Sequence, residues 1–292
     1  MPELPEVETI KIGLSKLLPG LIIANVSHDT DKSFPNAQAD VNEFLLGAKV
    51  EEVKRRAKVL LIELSTKYSL VTHLKMTGQM VYVNKNVRFG AGHPNDSLIS
   101  ELPNKTTRVT IDFKDGSHLF FNDQRKFGWM RLLPTAEVPN IDFFKKVGPE
   151  PLSEEFTSKD FQTRLQRRLN SNIKSVLLDQ SIVAGVGNIY ADESLWAAKI
   201  HPETKVKNLT MAKMHMLYKE LRAVLQLSID KGGSSDKNYV NAEGKKGSYL
   251  SFANVFRREG QPCPRCGTTI IKTRVAGRGT HICPKCQKEP KI

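Results

Sequence analysis

Between Glu6 and Leu18 the apolar residues Val7, Ile10, Leu14, Leu17 and Leu18 share one helical face, which predicts an amphipathic helix stopped by Gly20. The period then changes. Leu21–Val26, Lys58–Leu64, Leu70–Leu74, Met80–Val83, Val109–Phe113 and His118–Phe121 are short apolar or β-branched runs, and a turn at Lys114-Asp115-Gly116 joins the last two as a hairpin. Many short strands without helices among them predict an antiparallel sandwich or barrel. Residues 84–107 are polar, with Gly90, Gly92, Pro94 and Pro103, and read as a long loop.

Pro134–Pro151 is punctuated by Pro139, Gly148 and Pro149 and reads as a linker. The helical period returns over Ser158–Leu169, Asn172–Asp179, Asn188–Lys199 and Met211–Asp230, with Thr210 capping the last helix and Gly232 ending it. The pair flanking Gly185-Val186-Gly187 forms a helix-turn-helix with a long turn, and the start of the second helix offers backbone N–H groups to a phosphate. A plain αα-hairpin fits the same pattern. Gly232–Gly247 is polar and glycine-rich, the composition of a flexible loop. The expected class is therefore multidomain α+β: an N-terminal antiparallel β-sandwich with an N-terminal helix over 1–134, a linker over 135–152, a helical domain over 153–254 and a terminal module over 255–292.

Charge narrows the choice of partner. The formal net charge is +13, and residues 255–288 hold eight Lys or Arg against one acid, Glu259. That clustering points to a polyanion, most simply nucleic acid. No run of 18 apolar residues is present, and the acidic start is unlike a signal peptide, so the expected setting is the cytoplasm, with no membrane partner.

The terminal module contains all four cysteines, as Cys263-x2-Cys266-x16-Cys283-x2-Cys286. Two tight pairs suit a closed tetrahedral Zn²⁺, with disulfides as the competing reading. The flanking β-prone stretches predict a hairpin with its tip at Val275–Thr280 and Arg278 placed to approach a phosphate. At the other end, Pro2-Glu3-Leu4-Pro5-Glu6-Val7-Glu8 is stiffened by prolines and crowded with acids. Loss of the initiator Met would expose a secondary amine beside a carboxylic acid, and an α-amino group with a pKa of about 7.7–8.0 is partly neutral at pH 7. An ordinary helix start accounts equally well for the spacing alone.

These residues together resemble the formamidopyrimidine-DNA glycosylase family. The opening heptapeptide matches its start, Arg55–Leu61 and His73–Gly78 its first and second lysine motifs, Asp123–Gly128 the segment that invades DNA, Gly148–Leu152 the interdomain signature, and Gly185–Ala191 the helix–two-turn–helix motif before the four-cysteine finger. The resemblance implies a bifunctional glycosylase and AP lyase of base-excision repair that removes oxidised purines from damaged double-stranded DNA. Pro2 would attack C1′ and form an imine, Glu3 would act as the acid, and Lys58 would contact phosphate and assist. Met76, Arg125 and Phe127 would fill the void left by a flipped nucleotide. His73, Lys174, Asn188, Lys272 and Arg278 would bind phosphates. The four cysteines would hold one structural zinc, with no catalytic metal or organic cofactor, in a monomer whose DNA lies in a basic cleft between the domains.

The sequence also departs from the family pattern. Phe256 stands where a Tyr is common, Thr106-Thr107-Arg108 replaces a His-containing stretch, and Gly232–Gly247 matches the base-capping region loosely. The alternatives are an endonuclease VIII-like enzyme for oxidised pyrimidines and a non-catalytic zinc-finger DNA-binding protein. Leu4, together with Arg125 and Phe127, favours the purine enzyme, and an intact Pro2, Glu3 and Lys58 argue for catalysis.

Overall fold

The computed structural model describes residues 2–93, 95–233 and 249–290. The chain divides into two compact units, one built on Met1–Lys145 and the other on Lys146–Asp230 with Tyr249–Ile292. Among the described residues no helix is long and apolar enough to cross a membrane.

The first unit opens with helix α1 (Leu4–Ser15). Pro5 lies in its first turn, and the Glu6 carboxylate accepts the Glu3 backbone N–H at 2.8 Å, satisfying a donor that the helix start leaves open. One antiparallel sheet contains β1 (Ile23–His28), β7 (Thr107–Phe113), β8 (His118–Asp123), β5 (Gly78–Val83) and β6 (Arg88–Gly92), in that order. The other runs β2 (Val50–Arg56), β3 (Val59–Leu64), β4 (Tyr68–His73) and β9 (Trp129–Pro134). Ile10 and Leu14 of α1 share one core with Val53, Ile62 and Leu70 from the second sheet and Met80, Ile111 and Phe121 from the first, so the unit is a sandwich with α1 packed into it. Full burial of such side chains contributes roughly 1.5–3 kcal/mol each. Gly13 is required by that packing, because a Cβ there would lie 2.2 Å from the Phe89 ring. A short helix α2 (Gln38–Asp40) runs into a wide π-turn over Val41–Leu45.

Two strands are not legible as apolar runs. β2 carries only Val50 and Val53 inward among charged residues, and a bulge between Val50 and Glu52 breaks its alternation. β6 lies inside the expected 84–107 loop. Its glycines mark close approach, since a Cβ on Gly92 would meet the Gly78 carbonyl at 2.5 Å. The expected linker is also structured. Thr135–Asn140 forms a 3₁₀ turn, and helix α3 (Asp142–Lys145) follows, packing Val138 and Phe144 onto Val59 and Val71 of the first unit. The unit boundary falls at Lys145/Lys146, within that stretch.

The second unit is helical: α4 (Ser158–Gln166), α5 (Ile173–Leu178), α6 (Asn188–Ala197), α7 (Met211–Asp230) and the short α8 (Tyr249–Phe252). Thr157 and Asp160 form a capping box on α4, Asn172 caps α5, and the Thr210 hydroxyl accepts the Lys213 N–H at the start of α7. Between α5 and α6 the Gln180 side chain donates to the Val186 carbonyl at 2.8 Å and accepts the Gly185 N–H at 3.0 Å, fixing the turn internally. Tyr190, Leu177, Leu195, Leu217 and Leu221 lie in its core. The chain ends in the hairpin of β10 (Ile271–Val275) and β11 (Arg278–Ile282), with Ala276 and Gly277 both at positive φ, as a tight hairpin turn requires.

Candidate functional site

In the first unit Pro2 is buried immediately before α1, and Glu3, the N-cap residue, is 3 % exposed. The turn joining β2 to β3 carries Lys58, itself buried, next to Ala57 at φ +54. Arg55 ties that turn to α1: its Nε donates to the Glu8 carboxylate at 2.6 Å and its Nη1 to the Ala57 carbonyl at 2.8 Å. A buried hairpin turn is thereby held against the helix that follows Pro2 and Glu3.

His73 ends β4 opposite Val59, the residue after Lys58. Burial, then the positive charges of Lys75 and Lys58, push its imidazole down to about 3, so it is neutral at physiological pH. Its Nδ1 accepts the Lys75 N–H at 3.0 Å, which leaves the proton on Nε2. Trp129 and Phe143 pack on the ring. A neutral Nε2–H donor beside two lysines suits an anionic oxygen.

Two corners then cross between the sheets side by side. His73–Gly78 leads from β4 to β5, and Asp123–Trp129 leads from β8 to β9, with Gly78 paired to Asp123 and His73 to Trp129. Met76 is half-buried on the first corner, while Arg125 and Phe127 are exposed on the second. Phe127 is 45 % exposed, unusual for a large aromatic, and its ring lies 4.7 Å from the Arg125 guanidinium. The Thr106–Arg108 stretch supports this region: buried Arg108 pairs with Asp29 and donates from Nε to the Asp123 carbonyl at 2.8 Å.

In the second unit one face of α6 organises the terminal hairpin. Asn188 donates to the Gly279 carbonyl at 3.0 Å, and Asp192 accepts the His281 N–H at 2.9 Å. The indole of Trp196 donates to Cys263 Sγ at 3.4 Å. From the neighbouring face Glu193 accepts the N–H groups of Asn254, Val255 and Phe256, each at 2.8 Å. Phe256 spends its ring on His281, in an edge-on contact at 5.1 Å.

Lys174 does not offer a surface charge to phosphate. It is 0 % exposed, and its ammonium donates to Asp192 at 2.6 Å and to the Thr280 hydroxyl at 2.7 Å. Sequence reading missed its partner because 18 residues separate them; the available signal was a pair of acids, Asp192-Glu193, within an otherwise apolar helix. Arg278 and Lys272 are exposed on the hairpin, Arg278 in β11 rather than at the tip, and Lys272 lies 3.5 Å from Glu259. The base-capping expectation for 232–247 falls, from residue 234 onward, outside the described residues.

The four cysteine sulfurs lie within 4.8 Å of one another, with Cys263–Cys286, Cys266–Cys283 and Cys266–Cys286 at 4.0, 3.4 and 3.5 Å. A tetrahedron with Zn–S near 2.3 Å has edges of about 3.8 Å, whereas a disulfide needs about 2.05 Å. Thr268 hydrogen bonds draw the Cys266 thiol down to about 6, while burial drives Cys283 up to about 12. The cluster is positioned for a metal ion that would neutralise the thiolates.

Three family models match the chain: the formamidopyrimidine-DNA glycosylase N-terminal domain over residues 1–130, its H2TH domain over 147–239, and the zinc finger found in FPG and IleRS over 260–288. Formamidopyrimidine-DNA glycosylases of Pelotomaculum thermopropionicum and Streptococcus pyogenes serotype M18 are 40 % and 42 % identical to it, each alignment covering 99 % of both chains. Among solved structures, a Lactococcus lactis FPG mutant bound to Fapy-dG DNA superposes with a TM-score of 0.87 at 35 % identity, covering 99 % of this chain and 100 % of that one. MutM bound to DNA containing carbocyclic 8-oxo-G gives 0.85 at 35 % identity, with the same coverage.

Proposed function

The chain belongs to the formamidopyrimidine-DNA glycosylase family and is a DNA glycosylase of base-excision repair, and from that premise we propose that it removes oxidised purines through Pro2 and then cuts the strand. Supporting this reading is the buried Pro2-Glu3 pair at the positive end of α1. There the helix dipole disfavours an ammonium and keeps the amine of Pro2 available once the initiator Met is removed.

Extrusion of the damaged nucleotide from the stack comes first. Met76 wedges into the vacated space, Arg125 donates to the orphaned base, and Phe127 stacks on it. The Pro2 nitrogen bonds to C1′ as the glycosidic C–N bond breaks; the base departs with that electron pair and takes up the proton that the Pro2 nitrogen loses. Glu3 donates a proton to the ring oxygen, so the sugar opens to an iminium with Pro2. That cation acidifies C2′. Loss of a C2′ proton expels the 3′-phosphate, and a second elimination expels the 5′-phosphate. Lys58 and His73 hold backbone phosphate during these steps, His73 as a neutral donor. Asn188, Lys272 and Arg278 bind phosphates from the second unit, and a single structural zinc holds the hairpin that carries the last two.

The protein would act as a monomer on double-stranded DNA in the cytoplasm. Base release from a duplex with one 8-oxoguanine should exceed release from one with an oxidised pyrimidine. The reverse order would assign it the pyrimidine specificity, and binding without release from either would leave only a DNA-binding role.

A further inference from the structure

We propose that Asp123 is a positioning residue that locks both void-filling corners into one rigid wedge; this rests on the reading of Met76, Arg125 and Phe127 as the residues that enter the duplex. Asp123 is 0 % exposed at the end of β8. One carboxylate oxygen accepts the Phe127 N–H at 2.8 Å and the Gly128 N–H at 2.6 Å. The other accepts the Thr77 hydroxyl and the Arg125 N–H, the latter at 3.2 Å. Thr77 is the residue after Met76, and its hydroxyl oxygen also accepts the Arg125 N–H, at 3.0 Å. One buried side chain thus reaches the backbone of both exposed wedge residues on its own corner and, through Thr77, the corner that carries Met76.

The backbone around it needs that restraint. Lys75 and Lys126, one immediately before Met76 and the other immediately before Phe127, are both non-glycine residues at positive φ, +50 and +56. Each corner also closes on a glycine with no room for a Cβ: one on Gly78 would meet the Leu74 carbonyl at 2.4 Å, and one on Gly128 the Phe121 ring at 2.6 Å. An exposed loop held in such a conformation without internal hydrogen bonds would sample many others, and the wedge would be ordered only at the expense of DNA binding. Asp123 removes that ordering cost in advance. Its own backbone does not depend on its side chain: the Asp123 N–H donates to the Thr106 carbonyl at 2.8 Å, and its carbonyl accepts from Arg108.

Asp123→Asn is isosteric but puts an NH2 group where one pair of donors now finds an acceptor, so it breaks half of the array whichever way the amide turns. Thr77→Val removes only the hydroxyl that joins the corners, and Thr77→Ser keeps it. Each variant is tested on two substrates by single-turnover kinetics. One is a duplex with a paired 8-oxoguanine and 2-aminopurine beside the opposite base, whose fluorescence reports unstacking. The other is single-stranded abasic DNA under borohydride trapping, which has no void to fill. Asp123→Asn and Thr77→Val should lose about 10- to 100-fold in duplex excision, as misplacement of a positioned group does. Both should lose the 2-aminopurine rise and trap single-stranded DNA at the wild-type rate; Thr77→Ser should match wild type throughout. Equal losses on both substrates, or duplex excision by Thr77→Val within about twofold of wild type, a change too small to count as misplacement, would overturn the proposal. If Met76→Ala and Phe127→Ala together leave duplex excision intact, the wedge reading itself fails; if they abolish it while Thr77→Val does not, only the role of Asp123 falls.

Discussion

Each unit presents exposed side chains on a hairpin or corner anchored by one fully buried aspartate, and the two aspartates are satisfied in different ways. Asp123 receives a hydroxyl and backbone N–H groups, all neutral, from residues within or next to the corners it holds. Asp192 receives the Lys174 ammonium together with the His281 N–H, and so joins helices α5 and α6 to the terminal hairpin. The first anchor fixes loop shape; the second fixes where a separate module sits. Neutral donors spread the cost of burying a carboxylate over several weak bonds, whereas a buried ion pair concentrates it in one partner whose loss leaves an unpaired charge.

Removing metal should break the comparison most completely. Zinc binding in small modules carries roughly 10–16 kcal/mol of folding energy. Chelation should therefore abolish hydrogen-exchange protection in β10 and β11 and weaken DNA binding, while β4, β5, β8 and β9 stay protected. Unchanged DNA affinity after verified metal loss would refute a binding role for the hairpin. Lys174→Met comes next. Stranding Asp192 should cost about 3–5 kcal/mol in urea unfolding, against less than about 0.5 kcal/mol for Lys126→Met, whose exposed ammonium lies 3.5 Å from Asp29. Equal effects would mean that the buried pair is not the anchor.

Acidification by a single pH unit gives the smallest effect and acts on both units. Burial lowers the imidazoles of both His73 and His201, His73 down to about 3. Between that value and about 6.5 the unfolded chain binds more protons at His73, so stability falls as pH drops, by up to about 1.4 kcal/mol per pH unit for that group. His73→Gln should flatten the slope; an unchanged slope would assign it elsewhere.

How much was legible depended on whether the cause was local. Helix α7 spans Met211–Asp230, the range its cap at Thr210 and the glycines beyond it predict. The cysteine cluster follows from spacing alone. Strand β6 was hidden because glycines that admit a neighbouring backbone look like loop glycines. The inward role of Lys174 was hidden because a lysine at a helix start reads as surface charge unless its acceptors, 18 and 106 residues away, are known. Asp123 carried no sequence signal beyond its motif, since three of its four donors are backbone N–H groups.

The central claim is that Pro2 is the nucleophile, and the most direct test is to map the covalent adduct trapped by borohydride on a duplex carrying one 8-oxoguanine. The account predicts a single adduct on the Pro2 nitrogen, with trapping lost in Pro2→Gly while DNA binding persists. An adduct on a lysine, or full trapping by Pro2→Gly, would contradict it.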